Sequence, residues 1–250
     1  MIKVHLVPII SQMQNYAYIL EADNGEVGVV DPGEAAPIIR ALEERNLKPD
    51  VILITHHHWD HMNGTADMLA WHECPVVGSD ASKSAPDSPA KTKVSVAFER
   101  ILEEGDEFSF GGESVQIFDT PGHTPEHICF YFPESGFALV GDVLFSLGCG
   151  RVLDGTAQEL YNSVQKLNAL PDDTLIYCGH EYTLSNAAFC LAQEPENEDL
   201  KARYEEVKVL REDNMPTIPA RLESERKYNV FLRAQNAEEF AKLRALKDRF

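Results

Sequence analysis

The amino-acid sequence predicts an α/β fold built on a layered sheet core and followed by a mostly helical region. Three observations predict it. Short β-branched apolar runs recur up to His180, each bounded by turn residues. Segments with helical spacing interleave with them. Beyond His180 strand signals fade and helical spacing dominates. The expected division is residues 1–174 for the α/β part and 175–250 for the mostly helical part.

In chain order, Ile2 to Ile10 is apolar-rich and β-branched, and Tyr16 to Leu20 reads as the next strand. The turn Asp23-Asn24-Gly25 leads into a third strand, Glu26 to Val30, which Asp31-Pro32-Gly33 ends. Residues 34–46 read as a helix, with Ile38, Ile39 and Leu42 on one face. Val51 to Ile54 is a buried strand. A short helix is expected from near Thr65 to Trp71, and a strand at Pro75 to Gly78. Residues 80–93, rich in Ser, Ala and Pro, read as a surface loop. Strands are expected at Phe108–Phe110, Val115–Phe118, Ile128–Phe132 and Gly136–Val140, with turns at Gly111-Gly112 and Pro133 to Gly136. Residues 157–169 read as a helix with Leu160, Val164 and Leu167 on one face, followed by a strand at Thr174–Tyr177. Residues 184–193, 198–213 and 237–248 have helical spacing, and Val230-Phe231-Leu232 is the one further strand candidate.

Composition excludes several classes. The chain has 250 residues, 44% apolar and 25% charged, which is ordinary for a globular protein. No apolar run approaches the roughly 18 residues of a membrane span, and the start lacks a signal-peptide layout. A net charge of −19 argues against nucleic-acid binding, which needs a cationic surface. No protein partner is evident. The five cysteines are odd in number and form no C-x-x-C pair, so a disulfide framework is not expected and a reducing cytoplasm is the simplest location.

The chemistry concentrates after Ile54, in Thr55-His56-His57-His58-Trp59-Asp60-His61. His56, His58, Asp60 and His61 offer imidazole and carboxylate donors, which suit zinc and neighbouring transition metals. In an extended segment residues two apart point the same way, so His56 and His58 can share one ion. Three more donors follow a common pattern of apolar strand, glycine, ligand: His123, Asp142 and His180. Counting donors gives two ions. His56, His58 and His123 would hold one, Asp60, His61 and His180 the other, with Asp142 bridging. Such sets leave a position for solvent, as catalytic sites do. Donors without thiolate suit zinc, and iron and manganese also fit. His5, His57, His72 and His127 read as structural or surface residues. Asp31 reads equally as a partner that orients a ligand imidazole or as a turn residue before Pro32-Gly33.

These motifs resemble the metallo-β-lactamase fold superfamily and, within it, the glyoxalase II (hydroxyacylglutathione hydrolase) family. The resemblance rests on Thr55 to His61, Thr120-Pro121-Gly122-His123-Thr124, Gly141 to Phe145, Gly148-Cys149-Gly150-Arg151, Gly155-Thr156-Ala157 and Cys178 to Thr183, with the ending Leu243 to Asp248. It implies a metallo-β-lactamase-like four-layer αβ/βα sandwich with a C-terminal helical domain that helps to bind substrate. It further implies that Arg151, Tyr182, Arg244 and Lys247 contact glutathione. Glutathione carries two carboxylates, so an acidic protein must supply cations locally. Arg244 and Lys247, three apart on one helix, are expected to converge on one anion.

The implied reaction is hydrolysis of the thioester S-D-lactoylglutathione to glutathione and D-lactate, the second step of methylglyoxal detoxification. A metal-bridged hydroxide would attack, with Asp60 and Asp142 as the catalytic carboxylates. The sequence departs from the family pattern at Leu153, where an aromatic residue is usual, and at Met62-Asn63, where small residues are usual. Another glutathione-thioester hydrolase, or a single-iron persulfide dioxygenase on the same scaffold, is the alternative. A β-lactamase leaves the basic C-terminal helix without a role. A degenerate metal-binding or interaction protein conflicts with seven filled ligand positions.

Overall fold

The computed structural model describes residues 1–84 and 87–250. The elements run β1 (Ile2–Ile9), β2 (Asn15–Ala22), β3 (Val27–Val30), α1 (Ala35–Glu44), β4 (Val51–Ile54), α2 (Trp59–Met62), α3 (Thr65–Trp71), β5 (Val76–Gly78) and β6 (Arg100–Ile101). Next come β7 (Phe108–Phe110), β8 (Glu113–Asp119), β9 (Ile128–Phe132), β10 (Phe137–Gly141), β11 (Leu144–Phe145), β12 (Gly148–Cys149), α4 (Ala157–Asn168) and β13 (Leu175–Cys178). The chain closes with α5 (Thr183–Gln193), α6 (Glu198–Glu212), β14 (Ala220–Arg221), α7 (Leu222–Tyr228) and α8 (Ala237–Lys247).

Two mixed six-stranded sheets form, ordered β1-β2-β3-β4-β5-β6 and β14-β13-β10-β9-β8-β7. Their strands alternate between two cores. In β2, Tyr16, Tyr18 and Leu20 face the larger core shared with the second sheet, while Ala17 and Ile19 face the smaller one. In β4, Val51 and Leu53 take the first side, Ile52 and Ile54 the second. Ile38 and Leu42 of α1 and Met68 of α3 cover that second side. Strands buried on both faces need uninterrupted apolar runs, and Val51 to Ile54 is one. Leu160, Val164 and Leu167 of α4 pack into the larger core. Its N-terminus carries a capping box, with Thr156 and Glu159 satisfying each other's amides. Helices thus flank both sheets, in the layered sandwich expected.

Some elements differ from the sequence reading. Val230-Phe231-Leu232 is not a strand. Asn229 Oδ1 accepts from Phe231 N at 3.0 Å, which turns the chain and delivers Phe231 to the core from a loop. α2, α7, β6, β11, β12 and β14 are too short for a periodicity signal. The expected loop at 80–93 includes residues 85 and 86, outside the described ones. Its described part holds a single 3-10 turn at Ala81–Lys83, capped by the Asp80 side chain, and Lys91 bridges to His58.

The topology fixes where the site lies. β10 runs parallel to β13, and β8 is two antiparallel steps from β10. The C-terminal ends of β8, β10 and β13 therefore share one edge of the second sheet. The four segments that leave β4, β8, β10 and β13 carry all seven donors named above.

Candidate metal centre

His56, His58 and His123 present ring nitrogens within 4.8 Å of one another, and so do the donor atoms of Asp60, His61 and His180. Asp142 lies between the two groups. Its Oδ2 is 3.4 Å from His123 Nε2 and 3.2 Å from His180 Nε2, and its Oδ1 is 3.4 Å from His61 Nε2. Asp60 Oδ2 stands 3.5 Å from His180 Nε2 and 3.8 Å from His61 Nε2. All seven residues are buried. His56 Nε2, His61 Nε2 and Asp142 Oδ1 have no hydrogen-bond partner among the described residues. Buried polar atoms without partners are costly, and here they converge. His58 Nδ1 and His123 Nε2 approach to 3.0 Å, and His58 Nε2 is a further buried nitrogen without a partner among the described residues. The donor set fits two divalent ions.

On His61, His123 and His180 the other ring nitrogen donates a hydrogen bond, which fixes the tautomer and aims the free nitrogen inward. His123 Nδ1 donates to Arg151 O at 2.8 Å, and His180 Nδ1 to Met13 O at 3.0 Å. Asp31 accepts from His61 Nδ1 at 3.1 Å, from Thr55 N at 2.8 Å and from Thr55 Oγ1 at 2.7 Å. Thr55 Oγ1 also meets His56 Nδ1 at 3.0 Å. A third grouping, Asp31 with His56 and His61, falls in metal-binding range. Both Asp31 oxygens are already engaged by Thr55, so Asp31 serves as a support. It is also a turn residue, with φ at +49°, so both readings of it hold.

Sequence reasoning missed three supports. Asn15 Nδ2 donates to Asp60 Oδ2 at 3.0 Å and Asp60 O at 3.3 Å. His127 is buried, stacks on His56 at 4.9 Å, and accepts from Asp142 N at 3.1 Å. Glu181 accepts from Tyr16 Oη at 2.7 Å, Thr217 N at 2.8 Å and Thr217 Oγ1 at 2.6 Å, anchoring the segment that carries His180. His57 points away, with Nε2 donating to Ser79 O at 2.9 Å. Two glycines are required. A Cβ on Gly179 would stand 2.4 Å from Asp142 Oδ1 and 2.5 Å from His61 Cε1. Gly141, with φ at +44°, would set one 2.5 Å from His127 Nε2.

Burial and charge set the donors apart. Burial pushes the His56 and His58 imidazoles down, helped by neighbouring imidazoles, His58 to about 4. Burial also lowers His123. These rings are neutral and ready to ligate at neutral pH. For His61 burial acts downward, but the Asp142 and Asp60 carboxylates outweigh it and hold the ring well above the usual histidine range. Burial acts upward on Asp142, but the His180 and His61 imidazoles outweigh it and hold the carboxyl well below the usual carboxylate range.

The centre opens into a cleft of about 510 Å³ that Arg151, Tyr182, Arg244 and Lys247 also line. That volume suits a ligand of small-molecule size. Tyr182 stacks on His180, rings 4.5 Å apart and 8° from parallel. Arg151 is exposed. Arg244 and Lys247 do not converge on one empty point. Arg244 donates to Cys149 O and to Asp248, and Lys247 Nζ donates to Ser185 O and Oγ at 2.8 Å each. Burial, then Arg244, lowers the Lys247 ammonium to about 8. Leu153, half exposed, lines the same cleft.

Residues 10–180 match the family model of the metallo-beta-lactamase superfamily, and residues 181–250 match that of the hydroxyacylglutathione hydrolase C-terminus. A hydroxyacylglutathione hydrolase of Pelagibacter ubique is 41% identical over 237 residues, covering 94% of this chain and 95% of that protein. One from Ruegeria pomeroyi is 39% identical over 264 residues, covering 100% and 99%. Among solved structures, ETHE1 from Myxococcus xanthus superposes with a TM-score of 0.70 at 21% identity, covering 97% of this chain and 90% of that one. That likeness shows the fold.

Proposed function

The chain belongs to the metallo-β-lactamase superfamily and, through its C-terminal segment and its relatives, to the hydroxyacylglutathione hydrolases, and from that premise we propose that it hydrolyses S-D-lactoylglutathione to glutathione and D-lactate, the second step of methylglyoxal detoxification. The observation that carries this reading is the shared cleft. His58 and His123 of one donor group, Asp60 and His180 of the other, and Asp142 line one cavity with the side chains Arg151, Tyr182, Arg244 and Lys247.

His56, His58 and His123 would hold one ion and Asp60, His61 and His180 the other, with Asp142 between them. Six imidazole and carboxylate groups besides Asp142, with no thiolate among them, favour zinc, and iron or manganese would also fit. When bound, such ions supply a hydroxide at neutral pH and polarise a carbonyl. The residues' part is to hold geometry. Asp142 stays ionised, and Asn15 fixes the Asp60 carboxylate. The leaving group is a thiolate whose acid has a pKa near 8.5, so no strong general acid is needed. No cysteine is needed as nucleophile, and burial pushes the Cys149 thiol in the cleft up to about 11. Burial, then the Asp142 and Asp60 charges, raises the Tyr182 hydroxyl, which keeps it a neutral donor toward the ligand. Arg151, Arg244 and Lys247 would meet the glutathione carboxylates. Five free cysteines support a reducing cytoplasm as its location, and among the described residues no helix is long and apolar enough to cross a membrane.

The test is spectrophotometric: loss of the thioester band with S-D-lactoylglutathione, compared with metal-free protein. Cleavage by the loaded protein alone is expected. No cleavage with both sites full contradicts the assignment. The complete second donor set supports hydrolysis over a single-iron persulfide dioxygenase. Oxygen uptake with glutathione persulfide would reverse that choice.

A further inference from the structure

Asp248 lines the same cleft. It follows Lys247 at the C-terminal end of α8. Its Oδ1 accepts from Arg244 Nε at 3.1 Å, pairs with Nη2 at 3.0 Å, and lies 3.9 Å from Arg151 Nε. Arg244 Nη1 donates to Cys149 O at 2.9 Å.

A guanidinium has five N–H donors in a rigid plane. Here the Cys149 carbonyl takes one on Nη1, and Asp248 faces Nε and Nη2. What remains is one N–H on Nη2 and one on Nη1 whose other neighbour is the Cys149 Sγ at 3.7 Å, a weak acceptor that a carboxylate outcompetes in two-point contact. Helix stability does not account for Asp248. An acid in the last turn opposes the helix dipole, and the basic residue first, acid four later, is the weaker order. The Arg244 side chain is 8% exposed while that of Asp248 is 42% exposed. A half-solvated acid grips a buried base, and that arrangement orients the base. It also sets one negative charge among Arg151, Arg244 and Lys247, whose like charges oppose one another.

We propose that Asp248 is a positioning residue for ligand binding: it turns the Arg244 guanidinium so that its two remaining donors meet a substrate carboxylate. The ordering of Arg244 is then complete before the ligand arrives, which lowers the entropy cost of binding. This assignment rests on the reading of the cleft as a glutathione site.

The test uses the zinc-loaded full chain with Asp248→Ala and Asp248→Asn. Calorimetry measures binding of S-methylglutathione, and thioester loss gives kcat and KM for S-D-lactoylglutathione. Asp248→Ala should weaken binding and raise KM by about tenfold, with kcat within about twofold. Asp248→Asn keeps an oxygen acceptor for Nε and Nη2 and should return binding to within about threefold of the parent. Unchanged melting temperature and zinc content show that both variants fold. Three results overturn the proposal: Asp248→Ala binding as well as the parent or tighter, Asp248→Asn as weak as Asp248→Ala, or kcat falling at constant KM. A parent protein that neither binds nor cleaves overturns the glutathione reading itself, and this assignment with it. A parent that does both, with variants that match it, overturns this assignment alone.

Discussion

Burial keeps the His56, His58 and His123 imidazoles neutral, and the Arg151 carbonyl aims His123 while the Thr55 hydroxyl meets His56. Asp60 has a different job. Its carboxylate belongs to the second group only, with Asn15 fixing one oxygen. Asp60→Ala should therefore reduce metal content toward one ion per chain and reduce thioester cleavage by about a hundredfold or more. Elemental analysis and the thioester assay check it together. Retained activity with the second group emptied would remove the two-ion account. Much of this was legible in the sequence, because metal donors are few residue types and fall at short spacings in His56 to His61. The supports were less legible. The carbonyls of Met13 and Arg151 accept from His180 and His123, and a backbone carbonyl leaves no mark in a sequence. Asn15 and His127 belong to segments far from the motif and reach it only through strand pairing.

At the scale of elements, α7 meets the loop after β11 through one buried acid. Glu225 accepts from Leu147 N at 2.7 Å, Ser146 Oγ at 3.1 Å and Asn229 Nδ2 at 3.0 Å. Burial outweighs these bonds and raises its carboxyl to about 6 from an ordinary 4.5. The folded state thus binds this proton more tightly than the unfolded state does. The resulting stabilisation is present below about pH 4.5 and is lost as pH rises through about 6. Relative to a Glu225→Gln variant, the parent should lose up to about 2 kcal/mol between pH 4.5 and 7. Denaturant unfolding of both proteins across that range measures it, and parallel curves would remove Glu225 as the source. The helical period of α4 and the uninterrupted apolar run of β4 were legible. The region of α7, β14 and residues 230–232 was not, because Asn229 diverts an apolar run into a turn and two-residue strands carry no period.

For the whole molecule, the first sheet supplies four of the seven donors and the second sheet three. His56 to His61 leave β4, whereas His123, Asp142 and His180 leave β8, β10 and β13. The helical region after β13 closes the cleft with α8. Family resemblance covers both parts, and the matched segments meet between residues 180 and 181. Net charge is the one global property that works against the proposed ligand. At −19 the protein repels anions, so recognition falls to the few cations of the cleft. On the proposed reading the seven donors bind two ions and the pair cleaves the thioester. Titrating zinc into metal-free protein while following loss of S-D-lactoylglutathione tests it directly. Activity should rise with metal and saturate at about two ions per chain, the occupancy that the two donor sets provide. Full activity at about one ion, or two bound ions without cleavage, would contradict it.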